Sequence, residues 1–185
     1  MQVFLLFIEL LFLVFMTLFI IFALDSLLRG HDLATSKRTT KALIKIISRF
    51  NPEAKNFYDL GCARGGLSLN IKKNCPRLSV CGMDKSAIRI FFAELMALVL
   101  KQKVNFKKQD IFQTNLRNAD IVYVYLWYDL TASLEKKLQK ELKPGAVAIT
   151  NTSNFPNWKP VEKIITYPKI SKIPDFETLF VYLKE

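Results

Sequence analysis

The sequence predicts an α/β domain built on an open, mostly parallel sheet and preceded by one transmembrane helix. Three observations carry this. Residues 3–24 form an apolar run broken only by Glu9 and Thr17. Beyond residue 55, short apolar runs alternate with longer helical patterns, the signature of parallel strands joined by right-handed crossovers. The stretch from Asp59 to Gly66 reads Asp-Leu-Gly-Cys-Ala-Arg-Gly-Gly, and Asp84 closes the next apolar run. Glycines there let a strand turn sharply into a helix and let a ligand approach bare backbone. An acidic side chain ending the second strand accepts paired ribose hydroxyls.

At about 1.5 Å per residue the apolar run is long enough to cross a hydrocarbon core of roughly 30 Å. A cleaved signal peptide is the rival reading. It is disfavoured because no Lys or Arg precedes the run, the run exceeds the usual ~7–15 residues, and no small-x-small site follows. Arg29, Lys37, Arg38, Lys41, Lys45 and Arg49 come directly after it, so the positive-inside rule places the body in the cytoplasm. The expected organisation is an anchor at 1–24, a juxtamembrane linker at 25–35 and one folded domain at 36–185. Glu9 lies inside the span, where burial costs roughly 2–3 kcal/mol unless the carboxyl is neutral, reaches the interface or finds a partner.

The chain carries 27 Lys and Arg against 16 Asp and Glu, a formal net charge of +11, and every basic residue follows the apolar run. Such a body favours anionic surroundings. Its basic residues are spread from Arg29 to Lys184 rather than gathered in an arm, which points to the anionic headgroups beside the anchor and away from nucleic acid. Cys62, Cys75 and Cys81 match no zinc spacing and read as reduced, mostly buried thiols. His31, the one histidine, falls in the linker, so a His-based triad or His-rich metal site is not expected.

Taking the elements in order, Leu43, Ile46, Ile47 and Phe50 recur at helical spacing and predict a basic amphipathic helix over 39–50. Strands follow at 56–60, 78–83, 104–108, 121–126 and 146–150, with helices at 65–73, 86–100 and 130–142 between them. The last two strand-like runs, 161–167 and 177–183, are joined by a loop with Pro168 and Pro174. No helix-length segment separates them, so they read as an antiparallel pair closing the sheet.

A dinucleotide-binding turn carries Gly-x-Gly-x-x-Gly; here the spacing is acidic-x-Gly-x-Ala-x-Gly, with the acid inside the motif. With Asp84, the Gln109-Asp110 pair ending strand three and the closing hairpin, residues 36–185 resemble the class I S-adenosylmethionine-dependent methyltransferases. The resemblance implies a Rossmann-like seven-stranded sheet with a C-terminal antiparallel hairpin. It also implies S-adenosylmethionine as cofactor, with Asp59, Gly61 and Gly65 lining its methionine part, Asp84 holding the ribose and Asp110 approaching the adenine. Two positions depart from the pattern: Ala63 stands where the middle glycine is usual, and Arg64 follows it.

The run Ala-Asp-Ile-Val-Tyr-Val-Tyr-Leu-Trp-Tyr-Asp-Leu ending at Leu130, the helix leading to Lys143-Pro144-Gly145, and Trp158-Lys159-Pro160 narrow the likeness. They resemble the small protein-lysine methyltransferases of archaea and mitochondria and their membrane-anchored bacterial relatives. That family's Pro-Thr-Pro before the first core helix appears here as Ala34-Thr35-Ser36. The resemblance implies methyl transfer to a protein lysine; a small or lipid-like acceptor, and a cofactor-binding scaffold without activity, are the alternatives. Tyr125 and Trp127, with Tyr128, fall at the carboxyl end of strand four, where open α/β sheets place substrates, and are the candidate catalytic residues. Alternating aromatics such as Tyr123 and Tyr125 equally suit core packing, Asp110 equally suits a turn cap, and Trp158 equally suits pinning its loop.

Overall fold

The computed structural model describes residues 1–29, 33–167 and 176–185, so His31, Pro168 and Pro174 lie outside the described residues. The chain divides into two compact units, Met1–Leu33 and Ala34–Glu185.

The first unit is one helix, α1 (Gln2–Arg29), which continues past residue 24 into the expected linker. An apolar 18-residue window within Gln2–Leu27 has a mean hydropathy of 2.9 and none of that window is buried, whereas Asp25, near the end of the stretch, is. A core helix would hide one stripe, whereas Leu5, Phe7, Phe12, Phe15 and Phe19 stand exposed around this one. Thr17 returns its hydroxyl to the Leu13 carbonyl at 2.8 Å, so the one neutral polar side chain inside the apolar stretch is satisfied within the helix.

The second unit opens with α2 (Lys37–Phe50). Ser36 Oγ accepts the Thr39 N–H at 3.2 Å and so satisfies one of the donors a helix start leaves free. Leu43, Ile46 and Ile47 of α2 are buried, while Lys41 and Lys45 stay outside the core. Then come β1 (Asn56–Leu60), α3 (Gly66–Asn74), β2 (Ser79–Asp84), α4 (Ala87–Val99), β3 (Asn105–Lys108) and β4 (Ile121–Val124). A 3-10 turn (Tyr128–Leu130), α5 (Thr131–Glu141), β5 (Val147–Asn151), β6 (Glu162–Ile165) and β7 (Thr178–Leu183) complete it.

The seven strands lie in the order β3-β2-β1-β4-β5-β7-β6. β1 to β5 are mutually parallel wherever they pair, and β7 runs antiparallel to both β5 and β6. The expected closing pair is therefore present, with β7 seated inside the sheet and β6 on its edge. Along β4 the side chains alternate: Ile121 and Tyr123 join α2 and α3 on one face, and Val122 and Val124 join α5 on the other. Each face carries its own apolar layer, as a doubly covered sheet requires.

β4 ends at Val124, two residues before the expected limit. The chain leaves the sheet there because Leu126 turns inward over Gly61 and Trp127 opens the 3-10 turn. Two other residues resolve as structural. Asp120 Oδ2 accepts the N–H groups of Lys55 and Asn56 at 2.9 and 2.8 Å, and its other oxygen meets Lys143 Nζ at 2.5 Å. Burial pushes that carboxyl up, but Lys143 and the two N–H groups outweigh it and hold it below the usual carboxylate value. Trp158 stacks on Phe155 and tilts against Tyr182, with ring centroids 5.9 and 5.2 Å apart, pinning its loop to β7.

Candidate active site

The polar residues singled out on the first three strands converge at the carboxyl edge of the sheet. Asp59 is the fourth residue of β1, Asp84 the last of β2, and Asp110 lies just past β3. Adjacent parallel strands in register bring their ends side by side, so residues far apart in the chain meet there.

Between β1 and α3 the backbone must reverse within five residues. Gly61 and Gly65 both adopt the left-handed region, at φ 82° and 76°. A Cβ on Gly61 would sit 2.5 Å from Leu126 Cδ2, and one on Gly65 would sit 2.4 Å from the Phe106 ring and 2.9 Å from Ala93. These glycines are therefore required twice, by conformation and by close packing. The loop is fastened from below: Gly61 and Cys62 donate their N–H groups to the Met83 carbonyl at 2.8 and 2.9 Å.

Ala63 shares the left-handed conformation, at φ 48°. An L-residue there costs about 1–2 kcal/mol, part of which glycine's greater chain entropy would cancel. Ala63→Gly is accordingly expected to raise stability by about 0.5–1 kcal/mol, read as a higher midpoint in urea denaturation at unchanged m-value.

Asp59 is 3 % exposed, and its Oδ2 accepts the Ser68 hydroxyl at 2.6 Å. Burial raises its pKa to about 6, with the neighbouring charge of Asp84 adding to the rise and Ser68 opposing it. Asp84 takes the Ser86 N–H on Oδ1 at 2.8 Å and the Ala63 N–H on Oδ2 at 3.1 Å, tying the end of β2 to the loop. Each oxygen keeps a second lone pair. Burial, reinforced by Asp59 and Asp84, pushes the Cys62 thiol far up, so it is an inert packing group rather than a nucleophile. Asp110 caps its own turn through the Phe112 N–H at 2.9 Å and meets Lys85 Nζ at 3.1 Å; that N–H first, then Lys85, holds its pKa down.

On the other side of the switch between β1 and β4 lies a second group. Tyr123 is buried, and its hydroxyl meets Thr35 Oγ1 and the Asn151 amide, both at 2.9 Å. It is both core and network. Tyr125 is half-buried just beyond β4; burial raises its pKa, a hydrogen bond with Thr152 opposes this, and the charge of Glu177 adds to it. Trp127, by contrast, is 61 % exposed, and Tyr128 beside it is exposed as well. Among the described residues no cluster of His, Cys, Asp and Glu is arranged to hold a metal.

Ser68, Gly82 and Glu177 were not singled out by sequence. Gly82 has a readable signal, a glycine inside a strand, and a Cβ there would meet Phe106 at 2.8 Å and Cys62 Sγ at 3.0 Å. Ser68 and Glu177 have none: Ser68 becomes informative only through its bond to Asp59 across the turn, and Glu177 only through Ser36, 141 positions away.

Comparison with known proteins agrees with this architecture. Residues 59–162 match the family model described as the ANTKMT methyltransferase domain. A protein-lysine N-methyltransferase of Saccharolobus islandicus (strain REY15A) is 29 % identical over 111 residues, 58 % of this chain and 68 % of the relative. A carboxy-S-adenosyl-L-methionine synthase of Idiomarina loihiensis is 33 % identical over 87 residues, 44 % of this chain but 36 % of that longer protein. Among solved structures, an RNA methyltransferase from Salinibacter ruber bound to S-adenosyl-L-homocysteine superposes with a TM-score of 0.67 at 18 % identity. It covers 82 % of this chain and 93 % of its own. An S-adenosylmethionine-dependent methyltransferase from Clostridium acetobutylicum gives 0.61 at 16 % identity, covering 87 % and 96 %. At these identities the two structures establish the fold. With the strand order, the loop after β1 and the match over 59–162, the chain belongs to the ANTKMT methyltransferase domain family and is an S-adenosylmethionine-dependent methyltransferase.

Proposed function

We propose that this methyltransferase is held at a membrane by residues 1–24 and transfers methyl groups to the side-chain amine of a protein lysine. The observation that carries the acceptor assignment is the likeness over 111 residues to a protein-lysine N-methyltransferase. In this reading residues 25–35 link the anchor to a catalytic domain at 36–185 on the cytoplasmic side. The basic residues of α2, Lys37, Arg38, Lys41, Lys45 and Arg49, then face anionic lipid. The exposed apolar surface of α1 supports the anchor, and that same surface favours a lipid-like acceptor as the second reading.

The residues at the sheet edge fit the cofactor's chemistry. Asp84 has lone pairs left for ribose hydroxyls, Asp59 offers a carboxylate to an ammonium, and Gly61 and Gly65 keep the loop free of side chains. Asp110, tied into its own turn, would approach the adenine amino group with its remaining acceptor capacity. S-adenosylmethionine supplies a methyl group on a sulfonium, open to in-line displacement by a lone pair. The chain's part is to hold the acceptor in place and to keep water away. Holding reactants about 3–3.5 Å apart replaces much of the need for acid-base groups. Tyr125 at the sheet edge, with Trp127 at its exposed rim, would line the acceptor's path.

Labelled-methyl transfer to the membrane and soluble fractions of the host cell separates the readings. Label recovered as methyllysine in protein supports the proposal, whereas label only in the lipid extract sinks it. Carbonate extraction checks the anchor: the full chain is expected to stay with the membrane, and release into the supernatant overturns that part.

Asp59 gives a pH signature. Its folded pKa of about 6 lies above the ordinary carboxylate value, so the folded protein binds the proton more tightly than the unfolded chain. Stability is then highest at low pH within this window and falls as pH rises from about 4 to about 6, remaining lower above it. The loss is on the order of 2–3 kcal/mol. Thermal melts of the cofactor-free protein across that range are expected to show the fall, and Asp59→Asn, which has no proton to lose, to abolish it.

A further inference from the structure

The carboxylate of Glu177 has one oxygen committed and one in reserve. Glu177 sits immediately before β7, which runs antiparallel to β5, so it lies at the carboxyl edge of the sheet beside the ends of β4 and β5. It is 2 % exposed. Oε1 accepts the Ser36 N–H at 2.7 Å, while buried Oε2 has no hydrogen-bond partner among the described residues. Around it stand hydroxyls. The Glu177 N–H donates to Thr152 Oγ1 at 3.0 Å, and Thr152 and the charge of Glu177 both bear on the Tyr125 phenol. Tyr125, Thr152 and Ser36 beside it are half-buried.

Its backbone is held in place at some cost. Both Thr152, at φ 68°, and Glu177, at φ 46°, occupy the left-handed region although neither is glycine. They are locked together by the Glu177 bond to Thr152 and by the Thr152 N–H to the Thr178 carbonyl at 2.9 Å. A carboxylate oxygen kept dry without a donor is costly, and a core needing only volume would be served by an apolar residue. A carboxylate accepts only, and the hydroxyls beside it accept as readily as they donate. The complementary group is one with several N–H donors, no acceptor and a positive charge.

We propose that Glu177, with Tyr125 and Thr152, forms the subsite that recognises the acceptor's amino group and so selects an amine over a hydroxyl. Glu177 is a specificity-determining residue that holds the incoming ammonium at the sheet edge; the ammonium must then release one proton to water to free the lone pair that displaces the methyl, and Glu177 takes no part in bond making. The assignment rests on the lysine reading above.

Glu177→Gln is the discriminating variant. Its amide oxygen still accepts from Ser36, the shape is kept, and the reserve oxygen becomes an NH2 that repels an ammonium. With membrane and soluble protein fractions as acceptor and labelled S-adenosylmethionine as donor, the apparent KM for protein is expected to rise by about 30-fold or more. Cofactor affinity by calorimetry and the melting temperature should stay close to wild type. Glu177→Asp keeps the charge and is expected to recover part of the loss. If wild type labels lysine and Glu177→Gln does so with unchanged KM, the subsite is wrong and the lysine reading stands. If Glu177→Gln loses cofactor binding or melts early, the residue is merely structural and the subsite is likewise wrong. If wild type labels only lipid, both assignments fall together.

Discussion

Gly65→Val is expected to abolish the folded domain's cofactor site and most of its stability. The residue sits at φ 76°, where a β-branched side chain is strongly disfavoured, and a Cβ there lands 2.4 Å from Phe106 and 2.9 Å from Ala93. The conformational part costs about 1–2 kcal/mol and the overpacking about 1–3 kcal/mol. Together they approach the whole stability of an ordinary domain, roughly 5–15 kcal/mol, at its lower end. Denaturant melts of the 34–185 unit within the full chain should show the midpoint collapse. A variant that melts near wild type would mean that Phe106 and α4 yield more easily than their burial implies. Gly66, one residue on, has open space beside it, so Gly66→Ala is the matched control and should be nearly neutral.

The second large effect concerns Asp84. Removing its carboxylate in Asp84→Ala takes away the acceptor for the Ala63 and Ser86 N–H groups and, in the proposed binding mode, the partner of the ribose hydroxyls. Hydrogen bonds to a charged acceptor are worth about 1.5–3 kcal/mol each. Loss of the ribose pair alone predicts a fall in S-adenosylmethionine affinity on the order of 100-fold or more, and a loosened loop adds to it. Isothermal titration reads this directly. Asp84→Asn separates the two contributions: its amide oxygen can still hold one backbone N–H, so stability should largely recover while affinity stays low. Wild-type affinity in both variants would remove Asp84 from the binding site.

How far the sequence alone leads depends on whether a feature is local. The sheet was legible because β-strand and helix periods alternate, and Asp59, Gly61, Gly65 and Asp84 were legible because strand, turn and helix follow one another within a few residues. The closing pair was legible as two strand-like runs with no helix-length pattern between them. That β7 enters the sheet beside β5, leaving β6 outside, was not, since both arrangements share the same pattern of apolar residues. The early end of β4 was hidden because Leu126 continues the apolar run while its side chain serves Gly61. Glu177 was invisible for a different reason: its meaning comes from Ser36, 141 positions away, and from Thr152, 25 away. Asp110 shows the limit from the other direction, since its turn-capping geometry and a ligand role draw on the same carboxylate.

Because β7 lies between β5 and β6, synthesis leaves a raw edge on the growing sheet. β1 to β5 emerge first and pair in parallel, and β6 follows without its neighbour, since among the described residues its one strand partner is the β7 still to come. Until then the β5 edge offers unpaired N–H and C=O groups to any passing strand. The hazard is timed to the ribosome, where that edge would have to stay apart from its neighbours on the same polysome. The last strand acts as a latch, and the ends of β5 and β7 that bear Thr152 and Glu177 come together only when it closes.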